Sequence, residues 1–401
     1  MAVATIKLHQ TGKSLSAELK PKGIGVIEFR PHDNYDGEFG FDWVLYNDDT
    51  IYKDIIGKYK IKRKGNIFDS DNNEYEKFLE KYKNFPHPID KKKKYYIPYM
   101  TLLPERTAKL ILRIKITEEI QNYKFSYDEN IFTLDKSETD LNKSIGEYKN
   151  IELNIKCLKS FSKNEYISVY GDGNLMGAII VIANKNILQK DIICYKVVTL
   201  PHIKKWEGDT DEKEKIESHI KKYLAQFYIE PIIDFKDYID YERDEKLVNF
   251  IRENHLLMER DSRVINTEKI EFNNIYSFFE SNINNNEDNS YKMFFIPFAG
   301  GKIVDGKIEL ASGYSEKIGG KISVIFSSHY DKKVAPTHEL LHCFGLPHTF
   351  EEGLDVVFFE NKTNNLMDYT KTERSSSLFM QWRKVNKNIN NNIDEIKLEN
   401  E

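Results

Sequence analysis

Residues 338–348 read HELLHCFGLPH, and this stretch holds three of the ten histidines of the chain. His338 and His342 are four positions apart, a spacing that places both imidazoles on one face of a helix, about one turn from each other. Gly345 follows and can end that helix, because glycine accepts the positive φ of a helix C-terminal turn. The chain can then turn back and bring His348 next to the first two histidines.

Three imidazoles gathered in this way match the ligand set of a catalytic zinc ion, which takes three protein ligands and keeps a fourth position open. Glu339 points about 100° around the helix from His338, so it is placed to act on a water molecule rather than to bind the same ion. We therefore predict that His338, His342 and His348 bind zinc and that Glu339 is the general base of a hydrolytic reaction.

A second motif, NNLMDYT, lies at 364–370 and places Met367 nineteen residues after His348. Together, the two motifs resemble the signature of the metzincin zinc metallopeptidases, in which a turn that carries a methionine, the Met-turn, forms an apolar floor beneath the metal. The sequences HTF (348–350) and NLMDY are similar to those of the pappalysin and cytophagalysin branch.

The resemblance implies a zinc endopeptidase with one catalytic Zn²⁺ ion, in which Tyr369 binds the oxyanion of the reaction intermediate. Its substrate would be a peptide or a protein. Many pappalysin-like enzymes carry a long, disulfide-bearing and calcium-binding insertion between the third histidine and the methionine. Here that segment is short and has no cysteine, which leaves a structural calcium ion open.

The same resemblance implies the fold of residues 185–401, which we predict to be an α+β metzincin-like zinc peptidase domain. It would contain a twisted mixed sheet, an active-site helix over 334–344 and the Met-turn. The periodicity of 211–227 predicts a helix that packs on the sheet. The segment ISVIFSS (322–328) would include the edge strand of the cleft, to which an extended peptide could add as a further strand.

The chain before residue 185 is rich in β-strand patterns. We predict a β-rich N-terminal module with a charged linker over 1–95 and a domain similar to a β-sandwich over 96–184. The segment AKLILRIKI (108–116) alternates apolar and other residues, as a strand with one buried face does. The segment 165–184 reads as a hairpin with its turn at 171–174. Because the motifs all lie after residue 320, we expect a fragment from 185 onward to fold and to cleave peptides.

Composition excludes several classes of protein. The net charge of −5 over 401 residues argues against a nucleic-acid partner. The longest apolar run, 176–183, is too short to span a bilayer, and the N-terminal residues lack the pattern of a signal peptide. We expect a protein that is secreted without a classical signal, as an injected bacterial effector whose N-terminal modules contact the secretion machinery, or otherwise a cytoplasmic one.

Three functions are compatible with the motifs. The first is the zinc endopeptidase. The second is a zinc amide hydrolase that acts on cell-wall peptides, and the third is a catalytically inactive metal-binding or interaction protein. The intact Glu339 argues against the third, because a structural site does not need a base. The three cysteines do not form a disulfide framework, and whether Cys157 and Cys194 pair is left open.

Overall fold

The computed structural model of the protein describes residues 23–44, 49–62, 65–141, 144–199, 210–239, 245–283, 289–327, 333–369 and 373–389. These residues form a mixed α/β protein that consists mostly of strands. Before residue 185 the elements are, in chain order, β1 Ile24–Pro31, β2 Gly40–Asp42, α1 Asp49–Ile55, β3 Ile56–Lys62, β4 Gly65–Ser70, α2 Asn72–Leu79, β5 Asn84–Pro86, β6 Lys94–Tyr96, β7 Tyr99–Thr101, β8 Thr107–Glu118, β9 Tyr123–Ser126, β10 Phe132–Leu134, β11 Lys149–Cys157, β12 Glu165–Gly171 and β13 Asn174–Val181.

From residue 185 onward the elements are β14 Leu188–Val198, α3 Thr210–Ala225, β15 Ile229–Ile239, α4 Lys246–Glu253, β16 Leu257–Met258, β17 Asp261–Asn266, α5 Asn274–Asn282, β18 Tyr291–Ile296, β19 Ala299–Val304, β20 Lys307–Ala311, β21 Gly313–Ser315, β22 Ile322–Phe326, α6 Ala335–Cys343, β23 Val357–Phe358 and α7 Phe379–Ile389. Short 3₁₀ helices lie at Glu138–Asp140 and Ile270–Asn273.

Two sheets of the first half pack against each other, with the strand orders β1-β8-β11-β10 and β2-β7-β13-β12-β9. An apolar cluster lies between them, to which Phe29 and Leu112 contribute from one sheet and Met100 and Ile179 from the other. The exclusion of this apolar surface from water holds the two layers together.

Both local β predictions in this region are confirmed. Along β8, buried residues alternate with partly exposed ones from Ala108 to Ile116. Strands β12 and β13 form the antiparallel hairpin, and its turn residues Asp172 and Gly173 both have positive φ, of 47° and 82°. A two-residue turn of type I′ requires positive φ at both positions, which Asp-Gly sequences accept.

Strands from the predicted 1–95 module pair with strands of the predicted 96–184 domain. Strand β1 pairs along its whole length with β8, and β2 pairs with β7. Strands on the two sides of the predicted boundary at residue 95 therefore belong to the same sheets. Patterns of neighbouring residues could not indicate this, because they carry no information on which distant strands pair.

The second half is built on a mixed five-stranded sheet with the order β15-β14-β18-β22-β21. The first four strands are parallel and β21 is antiparallel to β22. The helix predicted over 211–227 is confirmed as α3, and its apolar stripe is buried from Ile216 to Phe227. The prediction that ISVIFSS contains the edge strand is wrong, because β22 pairs with β21 on its outer side. Among the described strands, β21 forms the edge. It has three residues, too few to show a sequence pattern.

A single apolar cluster joins the two halves of the chain, and its members run from Val26 to Val385. Phe379 of α7 stacks on Tyr99 of β7 with ring centroids 4.3 Å apart. Strand β23, which lies between the third histidine and the Met-turn, pairs with β3 of the N-terminal region. The second half of the chain therefore shares its core with the first half, which argues against the expectation that a fragment from 185 would fold alone.

Asp42 of β2 provides a polar link between the halves. Its carboxylate accepts hydrogen bonds from the Tyr82 hydroxyl at 2.8 Å and from the backbone amide of Phe379 at 2.8 Å. The second bond satisfies one of the free amides at the start of α7, as a helix cap does. Burial raises the pKa of Asp42 to about 6, although both hydrogen bonds lower it.

The three cysteines are buried and none of them is in a disulfide, so Cys157 and Cys194 are not bridged. They belong to different apolar clusters. In the part of the chain that the structure describes, no helix is long and apolar enough to cross a membrane.

Candidate metal centre

Helix α6 presents the first two histidines. It runs from Ala335 to Cys343, and Pro336 lies in its first turn, where a missing amide hydrogen costs nothing. His338 and His342 are both buried, with 4% and 6% of their surface exposed. Their rings lie in edge-to-face contact with centroids 4.7 Å apart, as the spacing of four residues predicts.

Gly345 turns the chain back towards the helix. Its φ is +95°, and a Cβ atom built on it would lie 2.0 Å from the side-chain nitrogen of Asn388. That nitrogen donates to the carbonyl oxygen of Phe344 at 3.2 Å, at the end of α6. Both the backbone conformation and the close approach of α7 therefore require glycine here, and the turn brings His348 to the first two histidines.

The three imidazoles converge through their Nε2 atoms. Nε2 of His348 lies 3.3 Å from Nε2 of His338 and 3.1 Å from Nε2 of His342. Within the described residues, His338, His342 and His348 form a group whose ligand atoms all lie within 4.8 Å of one another. A tetrahedral zinc ion with bonds of about 2.0–2.1 Å holds neighbouring ligand nitrogens about 3.3 Å apart, so the spacing fits that ion.

The hydrogen bonds on the other side of each ring fix the tautomers of two histidines. Nδ1 of His338 lies 2.7 Å from the carbonyl oxygen of Leu366, and Nδ1 of His342 lies 2.7 Å from that of Leu346. A carbonyl oxygen can only accept, so each Nδ1 carries the hydrogen and each Nε2 presents a bare lone pair. Metal-binding histidines are held in this way in other proteins.

His348 has a carboxylate on its outer side. Nδ1 of His348 lies 3.0 Å from one oxygen of Glu351, at an ion-pair distance but without the alignment of a hydrogen bond. The other oxygen of Glu351 accepts from the backbone amide of His348 at 3.1 Å. The carboxylate is thus placed to orient this ring and to balance positive charge at the site.

Burial keeps the imidazoles of His338 and His342 neutral. Burial, followed by the repulsion between neighbouring rings, lowers the pKa of His338 well below its usual range and that of His342 to about 4. At pH 7 these two rings therefore carry no proton on Nε2. The bare Nε2 lone pairs of His338 and His342 both lie next to Nε2 of His348, so a cation among the three rings would meet lone pairs that are ready to bind it. This donor set is suited to Zn²⁺, which imidazole nitrogen binds well.

Glu339 lies outside the group of ligand atoms, against the edge strand. Its side chain is 4% exposed, and a Cβ atom built on Gly313 of β21 would lie 2.9 Å from its Cγ. The backbone amide of Ser315 donates to its carboxylate. Burial raises the pKa of Glu339 to about 8, while Arg374 and the Ser315 amide lower it. A buried carboxyl group with a pKa near neutrality can both accept and release a proton.

The Met-turn lies directly beside the third histidine. Met367 is fully buried, and its carbonyl oxygen accepts from the amide of Thr349 at 3.0 Å. Asp368 organises the turn, because its carboxylate accepts from the amides of Asn361, Thr363 and Tyr369. The nineteen-residue interval in the sequence thus closes into a compact loop against the histidines.

Tyr369 lies at the rim of the site. Its ring centroid is 4.5 Å from that of His348 and 5.9 Å from that of His338. Close to half of its surface, 49%, is exposed, and the partial burial of its hydroxyl raises its pKa. The ring is therefore near the three histidines and accessible from the solvent side.

Sequence reasoning did not identify three polar residues that support this site: Glu351, Asp368 and Arg374. Glu351 follows His348 by three positions, which gives a weak signal. Asp368 is part of the Met-turn motif, but the sequence does not show which amides its carboxylate accepts hydrogen bonds from. Nothing in the sequence marks Arg374, whose guanidinium reaches the Met-turn and lies 3.3 Å from Nδ1 of His338.

No protein-family model matches the chain, and no curated protein matches it. Among solved structures, metalloproteinase-II from Bacteroides fragilis aligns with 74% of this chain and 88% of its own, at 9% sequence identity and a TM-score of 0.29. A TM-score of that size does not establish a common fold.

Proposed function

We propose that the chain is a zinc-dependent endopeptidase of the metzincin type, in which His338, His342 and His348 bind the ion and Glu339 is the general base. The strongest support comes from the hydrogen bonds of His338 and His342. Nδ1 of each ring donates to a backbone carbonyl oxygen, so each Nε2 presents a bare lone pair next to His348. The buried carboxyl group of Glu339 stands beside them without a ligand role. A purely structural zinc site would have no use for that group.

When bound, zinc supplies a Lewis acid that lowers the pKa of a water molecule and polarises the scissile carbonyl. Glu339 takes the proton as the water attacks the carbonyl carbon and delivers it to the leaving amine nitrogen. Tyr369 donates a hydrogen bond to the oxygen that becomes negatively charged. The placement within the pappalysin and cytophagalysin branch is supported only by the HTF and NLMDY sequences.

The edge strand gives the proposed route for a peptide substrate. Strand β21 has one edge paired with β22, and it is the outer strand of the described sheet. Ser315 of this strand donates its amide to Glu339, so an extended peptide that paired with β21 would pass beside the base. Because main-chain hydrogen bonds do not depend on the side chains, such an edge would bind peptides of many sequences.

Zinc content tests the metal site. After reconstitution and dialysis, elemental analysis is expected to give one zinc ion per chain, and His348→Ala is expected to lose it. His219→Ala serves as the matched control, because this half-buried histidine lies on α3 outside the group. A sub-stoichiometric zinc content in the unaltered protein would contradict the site.

Digests of casein and of purified peptidoglycan then separate an endopeptidase from a cell-wall amide hydrolase.

The role of Tyr369 is tested by Tyr369→Phe, which removes only the hydroxyl. If this hydroxyl binds the oxyanion, kcat should fall by about 10²–10³, as for other oxyanion donors. KM and zinc content should stay unchanged, because the bond forms mainly in the transition state. Tyr166→Phe, an exposed ring in the first half of the chain, is the control. Turnover within a few-fold of the unaltered protein would show that Tyr369 only packs at the rim.

A further inference from the structure

Arg374 contacts the Met-turn from the segment that precedes α7. Its Nη1 atom donates to the backbone carbonyl oxygen of Asp368 and, at 3.4 Å, to that of Leu366. These carbonyls lie on either side of Met367. One nitrogen atom therefore bridges the two ends of the turn.

The Leu366 carbonyl is also the partner of a proposed zinc ligand. It accepts from Nδ1 of His338 at 2.7 Å, so both of its lone pairs face donors. Nη1 of Arg374 and Nδ1 of His338 are 3.3 Å apart, but both carry hydrogen and cannot bond to each other. Arg374, the carbonyl and the imidazole thus form a chain of contacts that ends at the Nε2 lone pair.

The second carbonyl leads to Tyr369. The Asp368 carbonyl belongs to the peptide group that joins Asp368 to Tyr369, so fixing its oxygen restricts how the tyrosine ring is presented. The carboxylate of Asp368 holds the other end of the same peptide group, because it accepts from the amide of Tyr369 at 2.7 Å. Arg374 therefore fixes the carbonyl end of a peptide whose amide end is held by Asp368.

The positive charge of Arg374 by itself would weaken metal binding, whereas its hydrogen bonds would strengthen it. Arg374 is a cation next to a ligand of a proposed cation site, and its Coulomb repulsion weakens metal binding. Orientation of the ring by an outer hydrogen-bond partner strengthens metal binding, typically by about 10–100-fold. The two effects have opposite signs, so removing the guanidinium distinguishes them.

We propose that Arg374 is a positioning residue, which holds the Leu366 and Asp368 carbonyls so that His338 and Tyr369 are oriented towards the metal. This inference rests on the proposed zinc site. It assigns to Arg374 no contact with substrate and no part in proton transfer.

The test compares zinc affinity, measured by competition with a chelator, in Arg374→Met, Arg374→Lys and the unaltered protein. Arg374→Met is expected to bind zinc about 10–100-fold more weakly. Arg374→Lys should recover most of that loss, because a single nitrogen atom makes all the contacts and an ammonium group has three donors. Lys333→Met is the matched control, since it removes a nearby exposed cation that pairs with Glu373 and does not touch the turn.

Two further readouts separate positioning from a general loss of stability. The absorption bands of the Co²⁺-substituted protein report ligand geometry and should change in Arg374→Met but not in Lys333→Met. The Tm of the metal-free variants should stay close to that of the control. If Arg374→Met does not fold, Arg374→Gln takes its place, with the same expected weakening.

Each outcome decides one question. Unaltered protein that binds no zinc would contradict the proposed function. Unaltered protein that binds zinc, together with Arg374→Met that binds it equally or more tightly, would overturn the role of Arg374 and leave the proposed function standing.

Discussion

Replacing Glu339 with glutamine is expected to leave zinc content and Tm nearly unchanged and to lower kcat for any cleaved peptide by about 10²–10⁴ or more. Glutamine keeps the size of the side chain and an acceptor oxygen for the Ser315 amide, so the packing against β21 survives. It cannot take a proton from water at neutral pH. The attack then lacks its base, and the leaving nitrogen lacks its proton donor.

The matched control is Glu352→Gln, which neutralises an exposed carboxylate close to the site in sequence. Zinc content measured on the same samples shows that any loss is not loss of the metal. Near-normal turnover by the zinc-loaded Glu339→Gln protein would show that another group is the base. An inactive unaltered protein that holds zinc would instead support the metal-binding or interaction function.

The second large effect concerns the first half of the chain. A fragment of residues 185–401 is expected to be insoluble, or soluble without a cooperative unfolding transition, and to bind no zinc tightly. Apolar side chains of the second half lose their cover in such a fragment. They include Phe379 on Tyr99, Phe358 on Phe78 and Trp382 on Gly40.

The free energy lost by exposing these side chains is large enough to unfold the fragment. Each large apolar side chain that becomes exposed costs about 1.5–3 kcal/mol, whereas the whole native state is stable by only about 5–15 kcal/mol. The exposure of five such residues matches the total. The lost pairing of β23 with β3 would also free the loop between His348 and the Met-turn.

Co-expression of residues 1–184 with the fragment is the control. If the halves share a core, the two pieces should assemble, co-purify and regain zinc binding. A fragment that unfolds cooperatively, holds zinc and cleaves peptides by itself would contradict the shared core.

The sequence alone determined the candidate site where its geometry is local. A spacing of four residues on a helix places His338 and His342 on one face whatever surrounds them. A glycine three positions later permits the turn that returns His348. Hairpin β12–β13 and the stripe of α3 were predictable for the same reason, because turn chemistry and helical periodicity act between near neighbours.

Tertiary structure decided the contacts that span the chain. Asp42 caps α7 across a separation of 337 residues, and β3 pairs with a strand that follows the third histidine. Strand β21 lies at the edge because it pairs with β22, and it was not predicted because three residues are too few to show a periodic pattern. Arg374 reaches the Met-turn only because the segment before α7 lies beside it. Such contacts depend on which distant surfaces meet, and a pattern of neighbouring residues records only which face of each element is apolar.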